Sequence, residues 1–330
     1  MQPRRAIAFT PSHTDLDQLA ATVGLAEELG YELACLPEAW CLDSTAVIAA
    51  LAMRTERIKF GATILSIWGR TPATLAMTAA TLQALSGGRF VLGLGASTPT
   101  LAEGFHNTAF RRPADRLREV TAAVRTLLEG GRAVVDIETD QRPLRLGVQP
   151  PTPVPIWHGT VSPLACRVTA ETADGWTPVW VTRANLARMT TELRAIRSAA
   201  RPEAAPLVVA CGPMVVVDDD LERARATAGA TIAWYLCSMG PLHPTFIAAQ
   251  GYEAEVRQVQ AANPRLTPST GVIPAGASVL IDELAAAGPE AVVREQLSPW
   301  DDVADIVIVG IPAPGTPWEV VEATLRAGAP

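Results

Sequence analysis

The chain of 330 residues lacks the segments that would place it in a membrane or on a nucleic acid. No stretch reaches the roughly 18 consecutive apolar residues of a membrane span, and the apolar run at residues 6–10 is too short for a signal peptide. The net charge is −7, and neither a basic stripe for phosphates nor a basic amphipathic helix for lipid headgroups is present. We expect a cytoplasmic protein without nucleic-acid or membrane partners.

Several catalytic motifs are also absent. The five cysteines form no C-x-x-C pair, which favours reduced thiols over disulfides or a zinc site. The chain contains no G-x-x-x-x-G-K-[ST], H-E-x-x-H or G-x-S-x-G sequence, and its four histidines lie far apart. We therefore expect no metal site.

What the chain does contain is a regular alternation of strand and helix patterns. Strands are predicted at residues 5–10, 32–36, 58–64, 90–94, 154–158, 175–179, within 206–217 and at 305–309. Alternation of this kind implies parallel strands with right-handed crossovers, and eight units favour a closed barrel. We predict one α/β domain over residues 1–330, a (β/α)8 TIM barrel with an insertion at about residues 236–276 before strand eight. Thr14 is expected to cap the first helix, and one helix is expected over residues 281–296.

The active site of such a barrel is built from the loops that follow the strands. Glu38 and Trp40 follow strand two. A carboxylate at this position is placed for catalysis, and an indole can form one side of a ligand pocket. Glu38 can instead cap a helix or pair with an arginine, and Trp40 can anchor its loop. His158 ends strand five, so we expect it to face the site, as a pocket-lining or a packing residue.

Two glycine-containing loops predict ligand contacts. Gly93 and Gly95 begin a dinucleotide fingerprint that lacks its third glycine, so we expect them to allow close approach of a planar ligand or a neighbouring strand. Residues 158–163 (HGTVSP) join a strand end to a helix start, where N–H groups and the helix dipole favour a phosphate. The alternative is ordinary N-capping by Ser162.

Motifs in sequence order resemble those of the bacterial luciferase-like monooxygenase superfamily. They are residues 54–61 (RTERIKFG), 69–73 (GRTPA), 85–97 (LSGGRFVLGLGAS), 173–176 (ADGW) and 288–290 (GPE). The resemblance extends over nearly the whole chain and implies a barrel of the luciferase-like type. Within the superfamily, residues 38–40 (EAW) and 95–97 (GAS) look most like the branch that uses the deazaflavin coenzyme F420, with FMN-dependent enzymes as the near alternative.

The resemblance also implies where the cofactor binds. The ring would lie in the barrel mouth against a bulge on strand three, with a non-prolyl cis peptide between Thr63 and Ile64, and the phosphate tail would bind the loop after strand five. The residues expected to contact the cofactor are Glu38, Thr63, Ile64, Gly95, Ala96, Ser97, His158, Gly159, Thr160 and Val161.

The activity implied by the resemblance is hydride transfer between F420 and a small, partly apolar organic substrate. Ala39 and Thr98 stand where the family's sugar-phosphate dehydrogenases carry a histidine and a glutamate, so we expect reduction of an activated C=C or C=N bond, or oxidation of a non-sugar alcohol. Glu38 and His158 are the candidate proton donors. The substrate is expected to contact residues 236–250 and Trp40, Ile67, Trp68, Phe105 and His106.

Three other functions stay open at this stage. An FMN-dependent luciferase-like monooxygenase would share the fold, and a flavin-binding barrel without catalysis would bind cofactor without turnover. A barrel hydrolase would need paired acids or metal ligands at the strand ends, where Glu38 stands alone. A homodimer is expected, since dimers are common in similar proteins.

Overall fold

The computed structural model describes residues 3–135, 140–267 and 270–330. Strands in this part of the chain, numbered along the sequence, are β1 (Arg5–Ala8), β2 (Leu33–Leu36), β3 (Lys59–Ser66), β4 (Phe90–Gly95), β5 (Ile156–His158), β6 (Gly175–Trp176), β7 (Val208–Cys211), β8 (Met214–Val217), β9 (Ala285–Gly288) and β10 (Ile306–Gly310).

The α-helices of the described ranges follow the same numbering. They are α1 (Leu16–Glu28), α2 (Ser44–Ala52), α3 (Pro72–Leu85), α4 (Pro99–Gly104), α5 (Pro113–Leu128), α6 (Pro163–Thr172), α7 (Arg183–Ala200), α8 (Leu221–Ser238), α9 (Leu242–Ile247), α10 (Glu253–Ala262), α11 (Val279–Leu284), α12 (Glu290–Leu297) and α13 (Trp318–Gly328). A kinked segment, Ala248–Tyr252, with Gly251 at a φ of 104°, joins α9 to α10.

Eight of the strands close into a barrel in the order β1-β10-β7-β6-β5-β4-β3-β2. The predicted (β/α)8 TIM barrel is therefore confirmed. Contacts between Cα atoms divide the chain into two compact units, Ala8–Thr177 with Glu192–Val209, and Met1–Ile7 with Pro178–Thr191 and Ala210–Pro330. That residues 1–330 act as a single domain stays a prediction.

The first unit contains the strands β2 to β6 and the helices α1 to α6. Short polar side chains cap the starts of α1 to α4. Thr71 caps α3 by accepting a hydrogen bond from the Thr74 N–H. The prediction that Thr14 caps α1 is wrong, because the Asp15 carboxylate accepts from the N–H groups of Asp17 and Gln18. A carboxylate is the stronger acceptor beside the positive end of the helix dipole.

The second unit contains a sheet outside the barrel that the sequence did not predict. β8 and β9 pair in parallel, with Met214 opposite Ala285 and Val217 opposite Gly288. The predicted helix over residues 281–296 is therefore wrong, because β9 separates α11 from α12. Around this sheet, apolar residues of α8, α10 and α11 form a buried cluster.

Within the described ranges, none of the helices combines the length and the apolar character needed to cross a membrane.

Candidate functional site

A bulge in β3 shapes the carboxyl end of the barrel. The β3–β4 register shifts between Ala62 and Leu65, and the peptide bond between Thr63 and Ile64 is cis, as the resemblance implied. A Cβ atom on Gly93 would lie 2.3 Å from the Ala62 carbonyl oxygen, so only glycine lets β4 approach the bulge this closely. Of the two roles expected for Gly93, close approach of a ligand or of a neighbouring strand, the structure shows the second.

The side chain of Ile64 fills a gap between two glycines. A Cβ atom on Gly95 would lie 2.8 Å from Ile64 Cδ1, and one on Gly159 would lie 2.8 Å from Ile64 Cγ2. The ends of β3, β4 and β5 therefore meet around Ile64, whose side chain is half-buried. Ile64, Gly95 and Gly159 are here called the Ile64 platform. They form an apolar surface, because neither glycine carries a side chain beside Ile64.

Glu38 lies beside this platform and pairs with an arginine. The two terminal nitrogens of Arg70, Nη1 and Nη2, donate to the Glu38 carboxylate, with Nη2 at 2.8 Å from Oε2. Arg70 Nη2 also lies 3.0 Å from Asp43 Oδ2. The Glu38 N–H donates to the Ile64 carbonyl at 3.4 Å. The loop after β2 is thereby tied to both the platform and the start of α3.

The charges of this cluster stabilise one another. The hydrogen bond to Glu38 has the largest effect on Arg70 and raises the pKa of its guanidinium. Burial opposes ionisation of Asp43, but hydrogen bonds from Thr45 and the charge of Arg70 outweigh it and lower the pKa of the Asp43 carboxyl. A carboxylate held in a bidentate pair with arginine accepts hydrogen bonds but is poorly suited to donate a proton.

The loops after β3 and β4 pack on each other. Trp68 Nε1 donates to the Ala96 carbonyl at 2.7 Å, and the Trp68 ring lies 5.5 Å from that of Phe110. The His106 ring covers Gly69, where a Cβ atom would lie 2.7 Å from His106 Cε1. Trp68 and His106, both predicted at the substrate, are therefore brought together by their loops.

Two of the other predicted substrate residues are open to solvent and one is not. Trp40 and Phe105 expose 58% and 53% of their surface, whereas Ile67 is fully buried and its N–H donates to the Gly95 carbonyl at 3.1 Å. The prediction that Ile67 lines the substrate is contradicted, because its side chain belongs to the core. Ser97 adopts a left-handed backbone with φ of 57°, uncommon for a residue with a Cβ atom.

The loop after β5 leads into α6 without a side-chain cap. Ser162 occupies the N-cap position, but its hydroxyl makes no capping hydrogen bond, so the capping alternative does not hold. The Thr160 hydroxyl is turned inward, 2.8 Å from that of Thr169, and Val161 is buried. An anion at this end of α6 would therefore meet backbone N–H groups rather than the Thr160 hydroxyl.

His158 faces away from the barrel interior. Its Nε2 lies 2.9 Å from the Thr121 hydroxyl on α5, and its Nδ1 lies 3.3 Å from the Thr169 hydroxyl on α6. The ring is fully buried, and burial lowers its pKa to about 3. This placement contradicts the expectation that His158 faces the site and disfavours its predicted roles as proton donor and cofactor contact.

The cysteines are free thiols, in keeping with the expectation of a reduced protein. Cys35 lies on β2, and burial raises its pKa to about 12, although the Thr63 side chain is hydrogen-bonded to it. This thiol is therefore protonated at neutral pH and is no nucleophile. Among the residues that the structure describes, no group of three His, Cys, Asp or Glu is placed to hold a metal ion.

Arg70 is the site residue that sequence reasoning missed. A partner for Glu38 was considered without naming which arginine it would be. The signal was present in the motif GRTPA, since an arginine directly before the Thr71 cap lies at the carboxyl end of β3. A half-buried carboxylate at a neighbouring strand end requires such a partner.

Known proteins resemble this chain in sequence over most of its length. The profile of the luciferase-like monooxygenase family matches residues 3–304. A protein of Mycobacterium tuberculosis, provisionally named a coenzyme F420-dependent oxidoreductase, is 29% identical over 304 residues, which cover 86% of this chain and 87% of that protein. A 5,10-methylenetetrahydromethanopterin reductase of Archaeoglobus fulgidus is 30% identical over 160 residues, 48% of each chain.

A solved structure shares the fold over almost the full length. The coenzyme F420-dependent tetrahydromethanopterin reductase of Methanopyrus kandleri matches with a TM-score of 0.75 and 19% identity, covering 99% of this chain and 98% of that one. The barrel, the β3 bulge and the family profile agree with one another. The chain belongs to the luciferase-like monooxygenase family.

Proposed function

We propose that this protein is an F420-dependent oxidoreductase that transfers a hydride between the deazaflavin ring and a small, partly apolar organic molecule. The observation that carries the proposal is the Ile64 platform, where Gly95 and Gly159 leave room for the half-buried Ile64 side chain at the ends of three barrel strands. The name of the M. tuberculosis relative supports F420 as the cofactor.

The residues present fit such a cofactor in two respects. A flat ring requires an apolar surface without bulky side chains, which the Ile64 platform supplies. A phosphate requires unshielded N–H donors, and α6 begins beyond Gly159 without a side-chain cap. Thr63, Ala96 and Ser97 are proposed to border the ring, and Gly159, Thr160 and Val161 to bind the phosphate through their backbone.

The chemistry divides between cofactor and protein. When bound, F420 exchanges a hydride at C5 of its ring, while the protein supplies orientation and excludes water. Glu38, fixed by Arg70, accepts a hydrogen bond from the cofactor or the substrate and holds it in register. The proposed reaction is reduction of an activated C=C or C=N bond, with Trp40, Trp68, Phe105 and His106 around the substrate.

Equilibrium titration of the apo protein with F420 and FMN tests this function. We expect saturable F420 binding and at least about 100-fold weaker FMN binding, a difference of roughly 2.7 kcal/mol. Gly159→Val, which fills the platform, is expected to weaken F420 binding, and Val148→Ala in an exposed loop serves as the control. Tight FMN binding without F420 binding would overturn the proposal.

A second candidate is an FMN-dependent monooxygenase, favoured by the description of the family itself. It would use the same platform, since both ring systems are flat. It differs in requiring oxygen, so that product formation under strictly anaerobic conditions excludes it.

We also propose that the protein forms a homodimer through α2 and α3. Neither helix contains a charged residue, although charged residues make up 18% of the chain. Met53, at the C-cap of α2, exposes 68% of its surface, and Met77 and Leu85 on the neighbouring α3 expose 60% and 41%. An uncharged face of this kind is typical of an interface between copies.

Light scattering on the eluting protein tests the dimer. We expect twice the chain mass for the wild type and the mass of one chain for Met77→Lys, because an ammonium group would be buried unpaired. Val148→Lys places the same charge on an exposed loop and is expected to leave the mass unchanged. A wild-type protein of single-chain mass would contradict the dimer.

A further inference from the structure

Three aromatic rings of the second unit form a cluster that the site described above does not use. The Trp180 ring centroid lies 4.6 Å from that of Tyr235 on α8, and the Tyr235 centroid lies 5.2 Å from that of His243 on α9. The Trp180 and Tyr235 rings are tilted by 50°, and the Tyr235 and His243 rings meet edge to face at 79°. Trp180, Tyr235 and His243 are here called the aromatic cluster.

Trp180 is held in place through both its side chain and its backbone. Trp180 packs against the buried apolar cluster of α8, α10 and α11. Gln250, in the kinked segment between α9 and α10, donates from Nε2 to the Trp180 carbonyl at 2.9 Å and accepts from the Thr182 N–H at 2.8 Å. The Gln250 side chain is thus hydrogen-bonded to the backbone on both sides of Val181.

The backbone at Trp180 is unusual for so large a residue. Its φ is 58°, in the left-handed region that bulky side chains rarely adopt. Such conformations persist when their surroundings enforce them and are frequent at binding sites. Here Gln250 supplies the restraint through its hydrogen bond to the Trp180 carbonyl.

His243 gives the cluster one unused polar atom. Its Nδ1 is buried and has no hydrogen-bond partner within the described part of the chain. Burial lowers the pKa of His243 to about 4, so the ring is neutral at pH 7. Burial alone also raises the pKa of the Tyr235 hydroxyl. A buried nitrogen without a partner is costly, and a ligand that supplies one relieves this cost.

We propose that the aromatic cluster is a binding site for an uncharged organic molecule that presents an apolar ring or chain to Trp180 and Tyr235 and a carbonyl or hydroxyl group to His243. The neutral imidazole offers a hydrogen bond but no charge, which favours a neutral polar group over a carboxylate or phosphate. This binding site goes beyond the proposed function and does not rest on it.

A pair of probes separates the polar contact from the apolar one. Cyclohex-2-enone and cyclohexene have similar rings, and only the enone carries a carbonyl group. We expect the wild-type protein to bind the enone more tightly than cyclohexene in ligand-observed NMR titrations. His243→Phe keeps a ring and removes the nitrogen, and should weaken enone binding by about fivefold while leaving cyclohexene binding little changed.

Trp180→Leu should weaken binding of both probes, and Trp318→Leu on α13 serves as a matched control that changes neither. Thermal unfolding of each variant verifies that it is folded, and Tyr235→Leu, which should weaken both probes, replaces Trp180→Leu if that variant is not. Unchanged enone binding in folded His243→Phe overturns the proposal, as does a wild type that binds neither probe. F420 titration of the same samples is read separately, so loss of F420 binding with an intact probe pattern refutes the proposed function alone.

Discussion

At the scale of single residues, the direction in which a side chain points decides its role. Successive residues of a strand face opposite sides. On β5 and just beyond it, the Trp157 indole covers Gly175 and Gly159 contacts Ile64, so His158 between them faces the helices. The sequence placed His158 at the correct strand end, but three strand residues without a clear alternating pattern could not show which side it faces.

His158→Gln tests this structural role. We expect the free energy of unfolding to fall by about 1–3 kcal/mol at neutral pH, because Thr121 and Thr169 lose a buried partner. F420 affinity should be little changed. Urea denaturation and F420 titration measure the two effects, and a loss of F420 binding at unchanged stability would contradict the structural assignment.

The pH dependence of stability gives a second signature. The pKa of His158 is about 3 in the folded protein, against an ordinary value of 6.5. As pH falls below 6.5, the unfolded chain binds a proton that the folded one does not, so stability is lost. The contribution of His158 to this loss should reach about 1.4 kcal/mol near pH 5.5. His158→Gln should lack that contribution, and an unaltered pH profile would contradict the burial of a neutral ring.

Gly95→Ala tests the Ile64 platform. The new Cβ atom would lie 2.8 Å from Ile64 Cδ1 and 3.1 Å from the Gly159 carbonyl oxygen. We expect a loss of about 1–3 kcal/mol in the free energy of unfolding and weaker F420 binding. Ile64→Val removes Cδ1. In the double variant with Gly95→Ala it should restore part of the lost stability and part of the lost F420 binding.

Gly24→Ala is the matched control for that substitution. No atom lies within 4 Å of its Cβ position on α1, so it should stabilise the protein by up to about 1 kcal/mol. Equal effects of Gly24→Ala and Gly95→Ala would contradict the platform.

At the scale of elements, Arg70 links three of them. It joins Glu38 after β2 and Asp43 at the N-cap of α2 to the start of α3. Asp43 is partly exposed, so its contact contributes less than the bidentate pair with Glu38. Arg70 and Glu38 are here called the clamp, because their pair is the stronger of the two contacts that Arg70 makes.

A double-mutant cycle tests the clamp. Arg70→Met should destabilise the protein by about 1–3 kcal/mol and weaken F420 binding, because it leaves Glu38 without its partner. In the Glu38→Gln background the same substitution should cost less by about 1 kcal/mol or more. Asp43→Asn is the control and should reproduce only a small part of the effect. Strict additivity of the Arg70 and Glu38 substitutions would contradict the coupling.

The elements also show where sequence patterns fail. Alternation of strands and helices predicted all eight barrel strands, because each carries an apolar run bounded by turn residues. β9 was missed because Ala285, Ala286 and Ala287 favour helix by propensity, yet they are buried and paired with β8. Partners distant in sequence, such as Arg70 for Glu38, require the fold before they can be identified.

At the scale of the whole molecule, the family resemblance carried most of the functional prediction. It placed the bulge and the peptide bond between Thr63 and Ile64 correctly, which periodicity alone could not do. It did not reveal the aromatic cluster, because Trp180, Tyr235 and His243 come from segments that no shared motif connects. Residues 236–250, predicted at the substrate, include His243 and Gln250 of that region.

The most direct measurement of the central claim is an anaerobic single-turnover reaction with reduced F420 and an activated enone or iminium acceptor. We predict that one acceptor is reduced for each reduced F420 consumed, with deuterium from C5 of the cofactor recovered in the product. Consumption of reduced cofactor only when oxygen is present, or with reduced FMN alone, would contradict the account.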